Sequence, residues 1–150
     1  MAASDEWEKV ELVIPSMLEY LSLANAVAEE FCDRLGVERE LKDAIGSSVI
    51  EACTNAIEHG NKSDKEKRVH ILFRSKPERL EIEVADQGEG FNPDSVADPR
   101  SPENLMRERG RGIFILRTLM DEVRFRIEPS RGTTVSMVKN LGPAARVKES

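Results

Sequence analysis

A carboxylate and a carboxamide stand four residues apart near the middle of the chain, at Glu51 and Asn55. On a helix, residues at this spacing share a face and can offer oxygens to one small volume. The carboxylate can then accept a proton while the carboxamide binds a hard cation, which suits phosphoryl transfer from a magnesium nucleotide. A solvated helix face with a weak side-chain interaction is the commoner explanation of such a pair. The pair alone does not decide between the two.

A second carboxylate, Asp86, follows a predicted strand and precedes Gly88 and Gly90. A carboxylate fixed at a strand end can accept a hydrogen bond from an exocyclic amine such as that of adenine, and glycine lets a flat ring approach the backbone. Thr133 follows Gly132 at the start of the last predicted strand, where its hydroxyl can complete a base pocket. Each motif also has a plain explanation, because aspartate and glycine form turns and threonine favours strands.

Gly110 and Gly112 precede a predicted helix and form a candidate phosphate cradle, because free backbone N–H groups and the helix dipole both favour an anion there. The segment is neither a Walker loop nor a dinucleotide fingerprint. Arg107, Arg109 and Arg111 add positive charge beside it. The alternative explanation of these arginines is a solvated surface segment.

Hydrophobic periodicity predicts the elements that must position these residues. Strands are predicted over 7–14, 68–73, 80–85, 122–128 and 132–139, and helices over 16–35, 38–59 and 113–120. Ser16 and Glu19 have the spacing of a capping box that opens the first helix. Residues 91–109 show no periodicity and form a loop too long for an ordinary connection. The expected fold is α+β, a two-layer α/β sandwich whose mixed, mostly antiparallel sheet carries all helices on one face.

The bulk composition predicts one soluble domain over residues 1–150 in the cytoplasm. The net charge of −6 argues against a general affinity for nucleic acid or for an anionic membrane. Cys32 and Cys53 lack metal-binding spacing, so reduced thiols are expected. No apolar run is long enough to span a membrane, and the amino terminus does not resemble a signal peptide.

Four short segments occur in a fixed order along the chain: Glu51-x-x-x-Asn55, Asp86-x-Gly88-x-Gly90, Gly110-x-Gly112 and Gly132-Thr133. Together they resemble the N box and the three glycine boxes of the GHKL superfamily, the Bergerat ATP-binding fold, which includes gyrase B and the histidine kinases. The resemblance covers about residues 7–139 and implies that residues 91–109 form an ATP lid. The compact length and the run from Glu51 to Gly60 resemble the bacterial anti-sigma-factor serine/threonine kinases.

The resemblance implies a role for each motif residue. Glu51 would be the general base, Asn55 would hold Mg²⁺ at the phosphates of ATP, and either Arg109 or Arg111 would meet the terminal phosphate. Asp86 would bind the adenine amine. The residues implied to surround the base and the phosphates are Gly88, Gly90, Gly110, Gly112 and Thr133.

The resemblance further implies a protein serine kinase that phosphorylates a STAS-type anti-anti-sigma protein, alternately sequesters a sigma factor, and forms a homodimer. A nucleotide-binding sequestering module without transfer and a simple ATPase remain alternatives. His59 closes the second predicted helix and His70 lies in a predicted strand, so neither is placed as the phosphoacceptor of a histidine kinase. The helix flank of Ile50, Cys53 and Ile57 suits either a dimer contact or packing on the first helix.

Overall fold

One layer of the fold is a five-stranded sheet with the strand order β1-β2-β3-β5-β4. The computed structural model describes residues 7–88, 111–128 and 130–142, with the backbone alone at Arg111. The strands are β1 (Glu8–Pro15), β2 (Arg68–Lys76), β3 (Arg79–Ala85), β4 (Glu122–Glu128) and β5 (Gly132–Asn140). All four described pairings are antiparallel, as the predicted hairpins favour, and β1 lies at an edge of the sheet.

The second layer consists of helices that cover one face of this sheet. They are a short 3-10 helix (Leu18–Tyr20), α1 (Leu21–Arg34), α2 (Arg39–Asn55) and α3 (Arg111–Leu119). Alternate residues of β3 are buried, and the apolar stripes of α1 and α2 pack against them in one core. The α+β sandwich predicted from the sequence is therefore confirmed.

The start of the first helix differs from the prediction. The prediction of a capping box at Ser16 and Glu19 is wrong. Met17 is the N-cap residue of the 3-10 helix, and no side chain forms a capping hydrogen bond there. The Ser16 hydroxyl is buried and instead accepts a hydrogen bond from Asn61 Nδ2. A distant partner thus outcompetes the local cap for the same oxygen.

The end of α2 also has a special geometry. Regular α-helical structure ends at Asn55, and the chain continues as a π-helical turn over Ala56–Gly60. The backbone N–H of Asn61 donates to Ala56 O, five residues earlier, at 2.8 Å. Wide turns of this kind are frequent at functional sites.

The two cysteines are free and buried in the core. Burial raises the pKa of each thiol to about 12, so both stay protonated at neutral pH and react slowly. Of the flank formed by Ile50, Cys53 and Ile57, the last two are fully buried within the chain, whereas Ile50 is only partly buried. Within the described part of the chain, no helix is long and apolar enough to cross a membrane.

Candidate functional site

Asp86 lies directly after β3, and its side chain is fixed by the backbone around it. The residue is only 7% exposed. Its Oδ1 accepts hydrogen bonds from the backbone N–H groups of Gly88 and Thr133, each at 3.0 Å. Its own N–H donates to Thr133 O at 2.9 Å. Two N–H donors thus occupy Oδ1 and leave Oδ2 as the oxygen available to a ligand.

Three glycines pack tightly around this carboxylate. A Cβ atom at Gly60 would overlap Asp86 Oδ2, and one at Gly132 would overlap the Asp86 carbonyl oxygen. Gly132 also has a φ of +127°, which side chains rarely adopt. A Cβ atom at Gly88 would overlap the carbonyl oxygen of Gly60. The backbone thus approaches Asp86 as closely as the absence of side chains allows.

A second polar group forms where α2 meets the start of α3. A Cβ atom at Gly112 would lie 2.9 Å from Glu51 Oε2 and 3.0 Å from Asn55 Nδ2. The fold therefore brings Gly112 into contact with Glu51 and Asn55, although about sixty residues separate Gly112 from these two in the chain. Glu51 is half-buried and Asn55 is buried.

The carboxamide of Asn55 has an unused donor. Its Nδ2 is buried and has no hydrogen-bond partner within the described residues. An unsatisfied buried amide costs about 1–3 kcal/mol of stability, so such a group is expected where a ligand completes it. Its position against the first residues of α3 suits an anion, because free N–H groups at a helix start attract negative charge.

One helical run connects these two groups. Glu51 and Asn55 belong to α2, and the π turn that continues α2 ends at Gly60 beside Asp86. The run from Glu51 to Gly60 thus consists of the last α-helical turn of α2 followed by the π turn. The two polar groups therefore lie at opposite ends of this run, with the Glu51 and Asn55 side chains at one end and the enclosed Asp86 carboxylate at the other.

Several predicted residues lie outside the described part of the chain. These are Gly90, the proposed lid over residues 91–109 with Arg109, and Gly110. For Arg111 only the backbone is described, as the first residue of α3. The remaining predicted residues fall into the two groups above: Glu51, Asn55 and Gly112 in one, and Asp86, Gly88 and Thr133 in the other.

Sequence reasoning missed two residues of the site. The predicted helix over 38–59 leaves Gly60 as the residue that follows its end, yet the Gly60 Cα atom packs on Asp86. Asn61 is not singled out at all, yet it is buried and hydrogen-bonded to Gln87, the residue after Asp86. No local signal distinguishes it, because an asparagine just past a helix end is an ordinary turn residue.

The described residues contain no cluster of three or more His, Cys, Asp or Glu side chains that could hold a metal ion. Mg²⁺ bound with a nucleotide does not need such a cluster, because water and phosphate oxygens complete its coordination around one or two protein ligands. The carboxamide oxygen of Asn55, with the Glu51 carboxylate beside it, fits this requirement.

The chain is similar to known proteins over most of its length. A family profile described as "Histidine kinase-like ATPase domain" matches residues 14–139. The chain is 36% identical to "Serine-protein kinase RsbW" of Bacillus licheniformis over 138 residues, which are 88% of this chain and 85% of that protein. It is 34% identical to the protein of the same name in Bacillus subtilis (strain 168), with the same two coverages.

A solved structure shares the fold. The histidine kinase domain of the blue-light activated histidine kinase from Erythrobacter litoralis superposes with a TM-score of 0.53 at 20% identity. The match covers 90% of this chain and 64% of that one. With the antiparallel sheet, the helical layer and the two polar groups, these similarities show that the chain belongs to the histidine kinase-like ATPase (GHKL) family and, within it, to the RsbW group of serine-protein kinases.

Proposed function

We propose that residues 1–150 form a single ATP-binding domain that acts in the cytoplasm as a protein serine kinase. Its substrate would be a serine of a STAS-type anti-anti-sigma protein, and it would alternately sequester a sigma factor. The observation that carries the proposal is the contact of Glu51, Asn55 and Gly112 at one end of a helical run whose other end packs on Asp86. The RsbW relatives support the serine kinase activity.

The adenine base is assigned to the Asp86 end. Oδ1 is occupied by the N–H groups of Gly88 and Thr133, so Oδ2 is the acceptor for the exocyclic amine. A buried carboxylate selects strongly for a donor, because a ligand without one leaves the charge unpaired. Gly60, Gly88 and Gly90 would give the ring access, and Thr133 would line the pocket.

The phosphates are assigned to the other end. Asn55 would hold Mg²⁺ through its carboxamide oxygen, and the ion would neutralise charge on the phosphates when bound. Gly112 leaves room above the Asn55 carboxamide for a phosphate oxygen. Gly110 would extend this cradle, and Arg109 or Arg111 would bind the terminal phosphate from the lid over residues 91–109.

Glu51 is the residue that we assign to proton transfer. Its carboxylate lies against Gly112, beside the position assigned to the phosphates, and remains partly open to solvent. In the reaction the serine Oγ forms a bond to the γ-phosphorus, the bond to the β-γ bridging oxygen breaks, and ADP leaves. The hydroxyl proton passes to Glu51, which acts as a general base.

A kinase assay tests the proposal. The wild-type chain, Mg²⁺, labelled ATP and candidate STAS proteins are incubated, and label should appear on a partner serine. Glu51→Ala should lower the transfer rate by about 10²–10⁴-fold while nucleotide affinity is retained. Glu40, an exposed acidic residue in the first turn of the same helix, provides the control variant Glu40→Ala.

The other outcomes of that assay identify the alternatives. Nucleotide binding without labelled protein would indicate a sequestering module, and phosphate release without a labelled partner would indicate a simple ATPase. Binding of a sigma factor is tested in the same samples by co-elution in the presence of ATP or ADP. Failure to bind in either state would contradict partner switching.

We also propose a homodimer, supported by the outer side of β1. Among the residues that the structure describes, this strand pairs only with β2, so one row of its backbone groups is available to a second strand. Beside it, β1 and α1 enclose a groove of about 680 Å³ that includes Val10, Val27 and Phe31. Val10→Lys should shift the mass in sedimentation toward a monomer, whereas Phe114→Lys, at an exposed residue of α3, should not.

A further inference from the structure

A second buried asparagine, Asn61, follows the π turn. It is only 1% exposed, and both ends of its carboxamide are hydrogen-bonded. Nδ2 donates to Ser16 Oγ and to the carbonyl oxygen of Arg68, the latter at 3.0 Å. Oδ1 accepts from the backbone N–H of Gln87 at 2.7 Å. A buried carboxamide with partners on both sides is held in one orientation.

The bond to Gln87 acts on the neighbouring Asp86. The backbone N–H of Asp86 is bound by Thr133 O at 2.9 Å, and the next N–H along the chain is bound by Asn61 Oδ1. These two bonds fix the backbone on both sides of the Asp86 Cα atom. The direction of the carboxylate depends on this backbone, because the side chain leaves from that Cα atom.

A further hydrogen bond closes the arrangement. Gln87 Oε1 accepts from the N–H of Arg68 at 2.6 Å, and the carbonyl oxygen of Arg68 accepts from Asn61. Asn61, Arg68 and Gln87 thus form a ring of three hydrogen bonds, which Ser16 joins from the start of the helical layer. Loss of Asn61 leaves the N–H of Gln87 without its acceptor, so the segment after β3 can rotate.

We infer that Asn61 is a positioning residue for recognition of the adenine amine. By holding the peptide after Asp86, it keeps Oδ1 on its two N–H donors and reserves Oδ2 for the amine. This inference rests on the proposed nucleotide site. It assigns to Asn61 a share of base selectivity, which is distinct from its contribution to stability.

The test compares two nucleotides that differ only at the amine. ADP and purine riboside 5′-diphosphate, which has hydrogen in place of the amine, are titrated with Mg²⁺ into the wild type and Asn61→Ala by calorimetry. The wild type should prefer ADP by about tenfold or more, because the analogue leaves the buried Asp86 charge unpaired. Asn61→Ala should reduce this ratio of affinities to about two, mainly by lowering the affinity for ADP.

Leu80→Ala is the control for a purely structural effect. Leu80 is fully buried near the start of β3, at the opposite end from Asp86. This variant should unfold at a lower temperature than the wild type and keep the full ADP preference. Equal preference for ADP in Asn61→Ala and the wild type would overturn the role of Asn61 and leave the proposed function intact. A wild type without any preference for ADP would overturn the proposed function itself.

Ser16→Ala is a second test of the inference, to be used if Asn61→Ala does not fold. This variant removes one of the two acceptors of Asn61 Nδ2 and leaves the bond to Gln87 in place. The carboxamide is then held less firmly, and the preference for ADP should fall by about two- to threefold. An ADP preference in Ser16→Ala equal to that of the wild type would contradict the inference.

Discussion

Two carboxylates at opposite ends of β3 are satisfied in different ways. Glu81 accepts hydrogen bonds from the side chains of Arg74 and Arg79, and Arg74 lies directly opposite it on β2. Asp86 accepts from two backbone N–H groups on one oxygen, and among the described residues no lysine or arginine forms an ion pair with it. Glu81 is paired with two arginines of its own chain, whereas Asp86 Oδ2 is the oxygen that we propose for a ligand.

The groups that surround the two carboxylates also differ: flexible side chains surround Glu81, and glycine backbone surrounds Asp86. The guanidinium of Arg74 lies 4.6 Å from the centre of the Trp7 ring, so flexible side chains build the Glu81 cluster. Asp86 is surrounded by glycine backbone, which cannot move aside when a side chain is added. The difference leads us to expect that the Glu81 cluster contributes to stability and accepts substitution, whereas the close backbone packing around Asp86, which we propose for recognition of the base, does not.

The largest effect is expected from Gly60→Ala. The added methyl group would overlap Asp86 Oδ2, the oxygen that we assign to the adenine amine. Nucleotide affinity should fall by about a hundredfold, and the free energy of unfolding by about 1–3 kcal/mol, because the overlap forces Asp86 to move. Calorimetry with ADP and chemical denaturation measure the two quantities.

Gly46→Ala is the matched control for this variant. Gly46 lies in the middle of α2, where a Cβ atom would meet only the end of the Asn25 side chain, at 2.9 Å. This variant should bind nucleotide as the wild type does. Wild-type affinity in Gly60→Ala would instead show that Asp86 Oδ2 is not part of the site.

Asp86→Asn and Glu81→Gln make the same chemical change at the two ends of β3. Asp86→Asn places an amide N–H₂ where the amine donor must bind, so affinity for ADP should fall by about 10–100-fold while the fold is kept. Glu81→Gln should leave the affinity for ADP unchanged. Thermal shift with and without nucleotide separates the two effects, and equal losses of affinity in both variants would remove the distinction drawn between the carboxylates.

Asn55→Ala should weaken metal-dependent nucleotide binding without destabilising the free protein. The substitution removes a buried Nδ2 that has no partner within the described residues, so the free energy of unfolding should stay constant or rise. Affinity for ADP with Mg²⁺ should fall by about tenfold, and addition of EDTA should reduce the wild type to a similar level. Asn61→Ala, which breaks three bonds, should lower stability and so provides the contrast.

The smallest effect is expected from the pH dependence of the Glu81 cluster. Burial acts to raise the pKa of Glu81, but hydrogen bonds and charges from Arg74 and Arg79 outweigh it and hold the pKa below its ordinary value of 4.5. A lowered folded pKa contributes stability that is fully present above 4.5 and is lost as the pH falls through the folded value. The free energy of unfolding of the wild type should therefore exceed that of Glu81→Gln by about 1 kcal/mol or less at pH 7.

Denaturation measured at several pH values checks this prediction. The difference between the wild type and Glu81→Gln should disappear as the solution is acidified below pH 4.5, when the Glu81 carboxylate becomes protonated. A difference that grows on acidification would have the wrong sign and would contradict the assignment of the cluster to stability.

Much of the fold follows from the sequence because strong periodicity specifies it. The alternation in β3 and the helical spacing of the apolar residues in α2 each bury one face, and the structure has both elements near the predicted bounds. The capping box failed because the Ser16 hydroxyl has a partner 45 residues away, which no local pattern encodes. The π turn was not predicted either, and Gly60 at its end packs on Asp86, a contact that no local pattern encodes.

The candidate site could be predicted at its motifs but not at its supports. Glu51, Asn55 and Asp86 are recognisable because their residue types and spacing suggest chemistry. The close approach of Gly60 and the hydrogen bonds of Asn61 arise only when α2, β2 and β3 are brought together. Residues that position others carry no chemical signature of their own, so only the three-dimensional contacts identify them.

The π turn has a consequence for the chain lengths that this fold accepts. Because the helical run from Glu51 to Gly60 connects two fixed groups, insertion or deletion of one residue within it would rotate Glu51 and Asn55 away from Gly112 by about 100° relative to Asp86. The hairpin turn between β2 and β3 is exposed at residues 77–78 and joins no residues of the candidate site, although the carbonyl oxygen of Glu78 accepts a hydrogen bond from the N–H of Leu141 at 2.9 Å. Natural variants of this protein should therefore differ in length at residues 77–78 and not between 51 and 60.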